Sequence, residues 1–222
     1  MRGRFITFEG GEGTGKSTHA SLLAQKLRAL GIGVVLTREP GGSPGAEIIR
    51  HVLLSGAAKP LGPAAEAILF AAARDDHVRN TIVPALTRGR WVICDRFTDS
   101  TRVYQGELGG VDDQLLRALE RVTVGDLKPD LTFVLDAPLD VTLSRAEKRR
   151  GNAAGDRFES ESKEFHQKLR DGFRMLALIE PKRCVLVDAS GTRPEVADRI
   201  WDTVNKRLDP ATAPVALEGV AS

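Results

Sequence analysis

Apolar residues fall along this chain in short unbroken runs, separated by longer stretches with helical period. The runs are Arg4–Glu9, Gly33–Thr37, Trp91–Asp95, Leu131–Asp136 and Cys184–Asp188; they are rich in Val, Ile, Leu and Phe and lack polar alternation. A strand wetted on one face alternates, whereas a strand covered on both faces does not. The runs therefore predict an α/β chain built on a five-stranded parallel sheet flanked by helices on both faces. Helices are predicted at Ser17–Leu30, Ala46–Leu54, Pro63–Arg88, Asp112–Val122, Leu139–Arg149, Ser160–Ile179 and Pro194–Leu208. In the third, Leu69, Ala72 and Ala73 are expected to share a face with Leu86, and Pro84 is expected to bend or break the helix. Ligands of open parallel sheets bind beyond the carboxyl ends of the strands. That rule directs attention to Arg38–Gly45 and Arg96–Gly110, both read as loops, and to the strand-end acids Asp95, Asp136 and Asp188.

Composition narrows the picture. With 222 residues, 41% of them apolar, the chain suits one α/β domain, or one domain with an inserted lid. A charged share of 28% argues against wholesale disorder, and a net charge of +2 sets up no global field for nucleic acid or a membrane surface. No run approaches the roughly 18 apolar residues of a membrane span. The first strand begins so close to Met1 that no signal peptide is expected. Cys94 and Cys184 border strand runs and read as buried thiols, while His19, His51, His77 and His166 form no ligand motif. A reducing, cytoplasmic setting is expected. Basic residues crowd into 145–157, and the glycine-bearing stretch after Arg149 reads as a mobile lid at about 149–159 within a single domain 1–208. The Ala/Pro/Gly-rich stretch 209–222 reads as a disordered tail.

The candidate chemistry begins at Gly10-Gly11-Glu12-Gly13-Thr14-Gly15-Lys16-Ser17, a full G-x-x-x-x-G-K-[ST] loop between a strand run and a helix run. Gly10 and Gly15 permit a tight curl, and the inward N–H groups with the helix N-terminus hold phosphate oxygens. Lys16 reaches the outer phosphates, and the Ser17 hydroxyl suits Mg²⁺. Such loops serve kinases, motors and switches alike, so three further clusters matter. Arg38 stands on the stiff turn Arg38-Glu39-Pro40-Gly41-Gly42, where a guanidinium can hold a second phosphate or merely be solvated. Phe70 and Arg74 are four apart on one helix; together they can stack and read a base, or Phe70 can simply be core. Asp95-Arg96-Phe97 ends the third strand run. There Asp95 can face Mg²⁺ through water, opposite Ser17, or can pair structurally with Arg96. Tyr104, the single tyrosine, can press on a sugar.

These pieces together resemble thymidylate kinases, which phosphorylate dTMP with ATP. The resemblance rests on Phe8 to Thr18, Thr37 to Gly42, Phe70 to Arg74, Asp95-Arg96-Phe97, Ser100-Thr101-x-x-Tyr104-Gln105-Gly106 and the lid segment Asp156-Arg157-Phe158-Glu159. It implies the P-loop nucleoside monophosphate kinase fold, an ATP and Mg²⁺ requirement, and a homodimer packed away from the cleft. It implies that Gly10 to Thr18 bind ATP phosphates and that Ala189 and Ser190 pack on the donor adenine. Arg38 and Arg96 would hold the dTMP phosphate, with Pro40 on the same turn. Phe70 would stack on thymine and Arg74 would read its O4 edge. Ser100, Thr101 and Gln105 would line the acceptor pocket, Tyr104 would crowd the 2′ position, and Glu12 would face the 3′-hydroxyl. Some family members carry an arginine where this chain has Gly13. That charge is expected from the lid instead, from Arg149, Arg150 or Arg157, with Arg150 and Arg157 carried as catalytic candidates beside Lys16, Asp95 and Arg96.

Two other readings stay open. A kinase for another nucleoside monophosphate would share most of these residues. A nucleotide switch fits poorly: Asp188-x-x-Gly191 follows the last strand run, and Asn205-Lys206-Arg207-Leu208 lacks the acid of a base-reading motif.

Overall fold

Strands form where the apolar runs fall: β1 (Phe5–Glu9), β2 (Val34–Arg38), β3 (Trp91–Asp95), β4 (Leu131–Asp136) and β5 (Cys184–Asp188). All pair in parallel in the order β2-β3-β1-β4-β5. The computed structural model of the chain describes residues 2–150, 158 and 161–212. Every residue of β1 is buried, as a central strand covered on both faces requires. The edge strands differ from the expected pattern: Leu36 of β2 and Leu186 of β5 are exposed, because each edge has a neighbour on one side only.

One face of the sheet carries α1 (Lys16–Ala29) and α9 (Arg193–Leu208), whose Leu23, Leu27, Val196 and Ile200 pack with Ile6, Phe8, Phe133 and Leu135. The Phe8 and Phe133 rings lie 5.2 Å apart. The other face is covered by α3 (Gly62–His77), α4 (Val83–Thr87), α5 (Thr98–Thr101) and α8 (Lys163–Ile179). Val78, Ile82 and Leu86 meet Phe5, Val92 and Cys94 there, and Leu169, Phe173 and Leu176 meet Val134 and Cys184. Both cysteines are free and buried, as expected. The remaining helices are α2 (Pro44–Leu54), α6 (Asp113–Thr123) and α7 (Leu139–Arg150).

Several elements depart from the sequence expectation. The segment Arg96–Gly110 is not a loop: α5 runs on through a wide π-helical stretch at Arg102–Leu108. Its glycines and polar residues hide a helix that is held from outside, by the sheet and α8. The third predicted helix is a run of three pieces, with a π-helical turn at Val78–Ile82 just before Pro84, where the missing N–H interrupts the α ladder. Its buried face is the expected one only in part: Ala73 and Leu86 are buried and Leu69 is half-buried, but Ala72 is exposed, while Arg74 and His77 are buried. Helix α2 begins two residues earlier than predicted. Asp76 of α3 explains this, because its Oδ2 accepts from the Ser43 hydroxyl at 2.6 Å and from the Ala46 N–H at 3.1 Å. A carboxylate from another helix thus does the capping work.

The expected lid at 149–159 lies largely outside the described residues, which include only the α7 backbone through Arg150 and Phe158. Pro210–Thr212 forms a 3₁₀ turn, and 213–222 lie outside the described residues. Among the described residues, no helix is long and apolar enough to cross a membrane.

Candidate active site

The glycine-rich loop leaves β1 at its carboxyl end and delivers Lys16 as the first residue of α1. Gly10 and Gly15 have φ of 130° and 93°, the left-handed curl that the motif calls for. Gly13 is the informative position. It has φ of 73°, and a Cβ built there would lie 2.0 Å from the Thr142 carbonyl oxygen of α7. No side chain fits, so an arginine at this point of the loop is excluded by α7 as well as by the backbone angle. Thr14 Oγ1 donates to the Gly11 carbonyl at 2.9 Å, and Lys16 Nζ donates to the same oxygen at 2.7 Å. Burial, then the nearby Arg96 charge, lowers the Lys16 pKa. The Ser17 hydroxyl donates to Asp95 Oδ2.

Beside this loop opens a cavity of about 320 Å³. Its walls include Glu12, Gly13, Gly15, Lys16, Ser17 and Thr18 from the loop and Arg38 and Pro40 from the turn after β2. Phe70 and Arg74 enter from α3, and Asp95, Arg96, Ser100, Thr101, Tyr104 and Gln105 from β3 and the helix after it. Residues scattered over almost a hundred positions thus converge at the strand ends. Gly10, Gly11 and Thr14 form the back of the loop and do not line this cavity. Ala189 and Ser190 do not reach it either. They follow β5, at the far edge of the sheet from β2, where Arg145 donates to their carbonyls at 2.7 and 3.3 Å. Of the strand-end acids, only Asp95 faces the cavity. Asp136 is held by Arg170 at 2.6 Å and Arg174 at 2.7 Å, and Asp188 caps the turn at Ser190. Arg157 lies outside the described residues, and of Arg150 only the backbone is described.

Arg96 is the most tightly specified residue of the cleft. Its φ is 69°, a conformation that costs a non-glycine residue about 1–3 kcal/mol and persists only where the surroundings impose it. The Phe8 carbonyl accepts its N–H at 2.9 Å, and the Cys94 thiol donates to its carbonyl at 3.0 Å. Burial pushes the Cys94 pKa well up, so the thiol keeps the proton it donates. The guanidinium donates to the Gly10 carbonyl and to Ser100 Oγ, both at 3.1 Å, and to Glu12. It also lies 5.2 Å from the centre of the Tyr104 ring.

Arg74 is anchored differently. Its Nε donates to Glu39 Oε2 at 2.7 Å, and its Nη2 donates to the Phe97 carbonyl at 3.2 Å and Thr101 Oγ1 at 3.0 Å. Glu39 in turn meets His77 Nδ1 at 3.0 Å, and His77 Nε2 meets Thr37 Oγ1 at 2.7 Å. The side chains of Arg74 and Glu39 are only 5% and 4% exposed, so both charges are desolvated and depend on each other. Arg38 is more open and donates to both carboxylate oxygens of Glu47, at 3.0 and 3.1 Å.

Sequence reasoning gave several residues of the cavity and its surroundings no role there. Arg50 of α2 lines the wall and donates to the Pro40 carbonyl at 2.5 Å. Phe158 stands 6.4 Å from Phe70 and 5.2 Å from Tyr104, ring centre to ring centre, so three aromatic rings bound one side. Helical spacing from Ala46 could have flagged Arg50, but nothing local points Phe158 at α3. Glu9, Glu39 and His77 are likewise visible only once the strand ends and α3 are placed together.

A family model described as thymidylate kinase matches residues 8–200. A protein described as thymidylate kinase from Bradyrhizobium sp. (strain ORS 278) is 61% identical over 212 residues, covering 96% of this chain and 94% of that one. One from Rhodopseudomonas palustris (strain BisB18) is 62% identical over 208 residues, covering 93% and 90%. The crystal structure of a thymidylate kinase from Ehrlichia chaffeensis superposes with a TM-score of 0.73 at 34% identity, over 92% of this chain and 99% of that one. Similarity at this level, running from the end of β1 into α9 on the same scaffold, leaves one conclusion: the chain belongs to the thymidylate kinase family.

Proposed function

We propose that the chain transfers the terminal phosphoryl group of ATP to dTMP, giving dTDP and ADP. The observation that carries the reading is the shared cavity, where a phosphate-binding loop faces an arginine-lined recess with an aromatic wall. A dTMP phosphate oxygen attacks the terminal phosphorus of ATP, and ADP leaves. The protein supplies placement and positive charge for such a transfer rather than covalent chemistry. In this reading the loop N–H groups and Lys16 grip the donor phosphates, and Arg38, Arg50 and Arg96 hold the acceptor phosphate. Arg74, tied to Glu39, Phe97 and Thr101 through Nε and Nη2, would offer its Nη1 to the thymine O4 edge. Ser100 and Thr101 hydroxyls lie at the base pocket while also orienting Arg96 and Arg74. Tyr104 and Glu12 flank the sugar, and Gln105 closes the floor. Ala189 and Ser190 would border the donor adenine, and a lid arginine, Arg150 or Arg157, would complete the charge around the moving phosphoryl.

Mg²⁺ fits the donor set. Ser17 and Asp95 present a hydroxyl and a carboxylate against each other beside the loop, and hard oxygen ligands are what this ion takes. Bound there with donor phosphates, it would neutralise developing charge. The same reading has the chain form one domain with a short lid and pair as a homodimer. Exposed Ile48 and Val52 of α2 and Ile68 of α3 supply apolar surface for a second copy. The free buried thiols suit a reducing cytoplasm.

The deciding measurement is a coupled assay with ATP and a panel of dTMP, dUMP, UMP, CMP, GMP and AMP. The expected result is a kcat/KM for dTMP well above every other acceptor. Turnover of UMP or CMP at the dTMP rate would overturn the assignment. A second expected result concerns Phe70→Ala, which should raise the KM for dTMP about 10-fold with a smaller change in kcat. Stacking on the base contributes on the order of 1–3 kcal/mol and is present before the transition state. An unchanged KM for dTMP would remove Phe70 from the base site.

A further inference from the structure

We propose that Glu9 is a positioning residue for phosphoryl transfer: from the buried end of β1 it fixes the backbone and the guanidinium of Arg96. Glu9 is fully buried, and its two carboxylate oxygens are divided between the two sides of the arginine. Oε1 accepts from the N–H of Phe97, the next residue, at 2.7 Å. Oε2 accepts from the Ser100 hydroxyl at 2.6 Å, and the oxygen of that hydroxyl accepts from Arg96 Nη1 at 3.1 Å. One side chain therefore holds the peptide that follows the left-handed residue and, through Ser100, the charged end of that residue.

The surroundings show how unusual this placement is. Asp99, also fully buried, stands close enough to disfavour the Glu9 charge and is itself gripped by Arg183 at 2.6 and 2.7 Å. Burial, then Asp99, pushes the Glu9 pKa up to about 8, against the opposing pull of Ser100 and Arg96. An apolar residue would fill the end of a central strand at lower cost. What the carboxyl group adds is a pair of oxygens aimed at the Arg96 turn. Such residues are silent in binding contacts and act by holding a reacting group within a fraction of an ångström.

The inference rests on the role given to Arg96 above, and a double-mutant cycle separates the two. The variants are Glu9→Leu, Arg96→Ala, the double variant and Glu9→Gln, each measured for kcat/KM with dTMP. Glu9→Leu should lose about 10- to 100-fold, the scale for a displaced catalytic group. In the Arg96→Ala background the same change should cost less than about threefold, since a residue acting through another has nothing left to act on. Glu9→Gln should recover most of the loss, because its amide still accepts from Phe97 and can donate to Ser100. Should Glu9→Leu not fold, Glu9→Asp, which withdraws the carboxylate by one methylene, runs the same cycle. An equal cost with and without Arg96, or full activity in Glu9→Leu, overturns the positioning role. Full activity in Arg96→Ala would instead remove Arg96 from the reaction, and Glu9 with it.

Discussion

Replacing Arg96 by alanine is expected to lower kcat for dTMP phosphorylation by about 10³-fold, the scale at which a well-placed arginine stabilises a transferring phosphoryl group. The expectation rests on how much of the structure is committed to this side chain. Its backbone sits at φ of 69°, its N–H and carbonyl are bonded to Phe8 and Cys94, and its guanidinium is held among Gly10, Glu12 and Ser100. A group held by its neighbours in advance loses little freedom when ligands arrive, so its charge acts at full strength. Arg96→Lys should rescue poorly, because an ammonium cannot span the three acceptors that a planar fork reaches. Arg96→Gly separates chemistry from folding. It removes the same charge and also the left-handed penalty, so it should be as inactive as alanine and no less stable. Thermal melts and steady-state rates for the three variants decide this. Retention of more than about a tenth of the wild-type kcat in Arg96→Ala would contradict the assigned role.

Lys16→Ala is expected to reduce kcat by at least about 10²-fold, with little change in melting temperature. Among the described residues the ammonium bonds only its own loop, at the Gly11 carbonyl, so little of the described fold depends on it. Turning from that carbonyl to the donor phosphates would place the charge where it is needed in the transfer. Burial and Arg96 already depress the lysine pKa, so the charged form is held under strain that two anionic ligands would relieve. Lys16→Ala should therefore weaken ATP binding as well as turnover, by calorimetry and by assay. A variant with wild-type ATP affinity and rate would show that the loop N–H groups suffice without it.

The sheet was legible because each strand is a short apolar run, and a residue buried on two faces has no reason to alternate. The phosphate loop was legible because its glycines and lysine are local requirements at fixed spacing. What was not legible shares one cause. Thr98–Leu108 looks like a loop because its own sequence has no apolar stripe, yet the sheet and α8 hold it as a helix. Helix α2 starts at Pro44 because Asp76, far along the chain, caps it. Arg74 and His77 lie on the inner face of α3 because Glu39, from the turn after β2, meets them there. In each case the deciding partner comes from another segment, and periodicity within a window cannot register it. Arg50 escaped notice, and Phe158 of the lid motif was given no place in the wall, for the same reason: what makes them cavity residues is the approach of other walls.

The buried pair of Glu39 and Arg74 carries an evolutionary consequence. A lineage that exchanged Arg74 for an uncharged residue would leave the buried Glu39 carboxylate with His77 in place of its arginine, and breaking a buried pair costs up to about 3–5 kcal/mol, a large share of what a domain has to spare. Loss of Glu39 would strand the arginine in turn. Drift at this corner of the recess is therefore expected to proceed by paired replacement, and a descendant that accepts a different base should differ at both positions together.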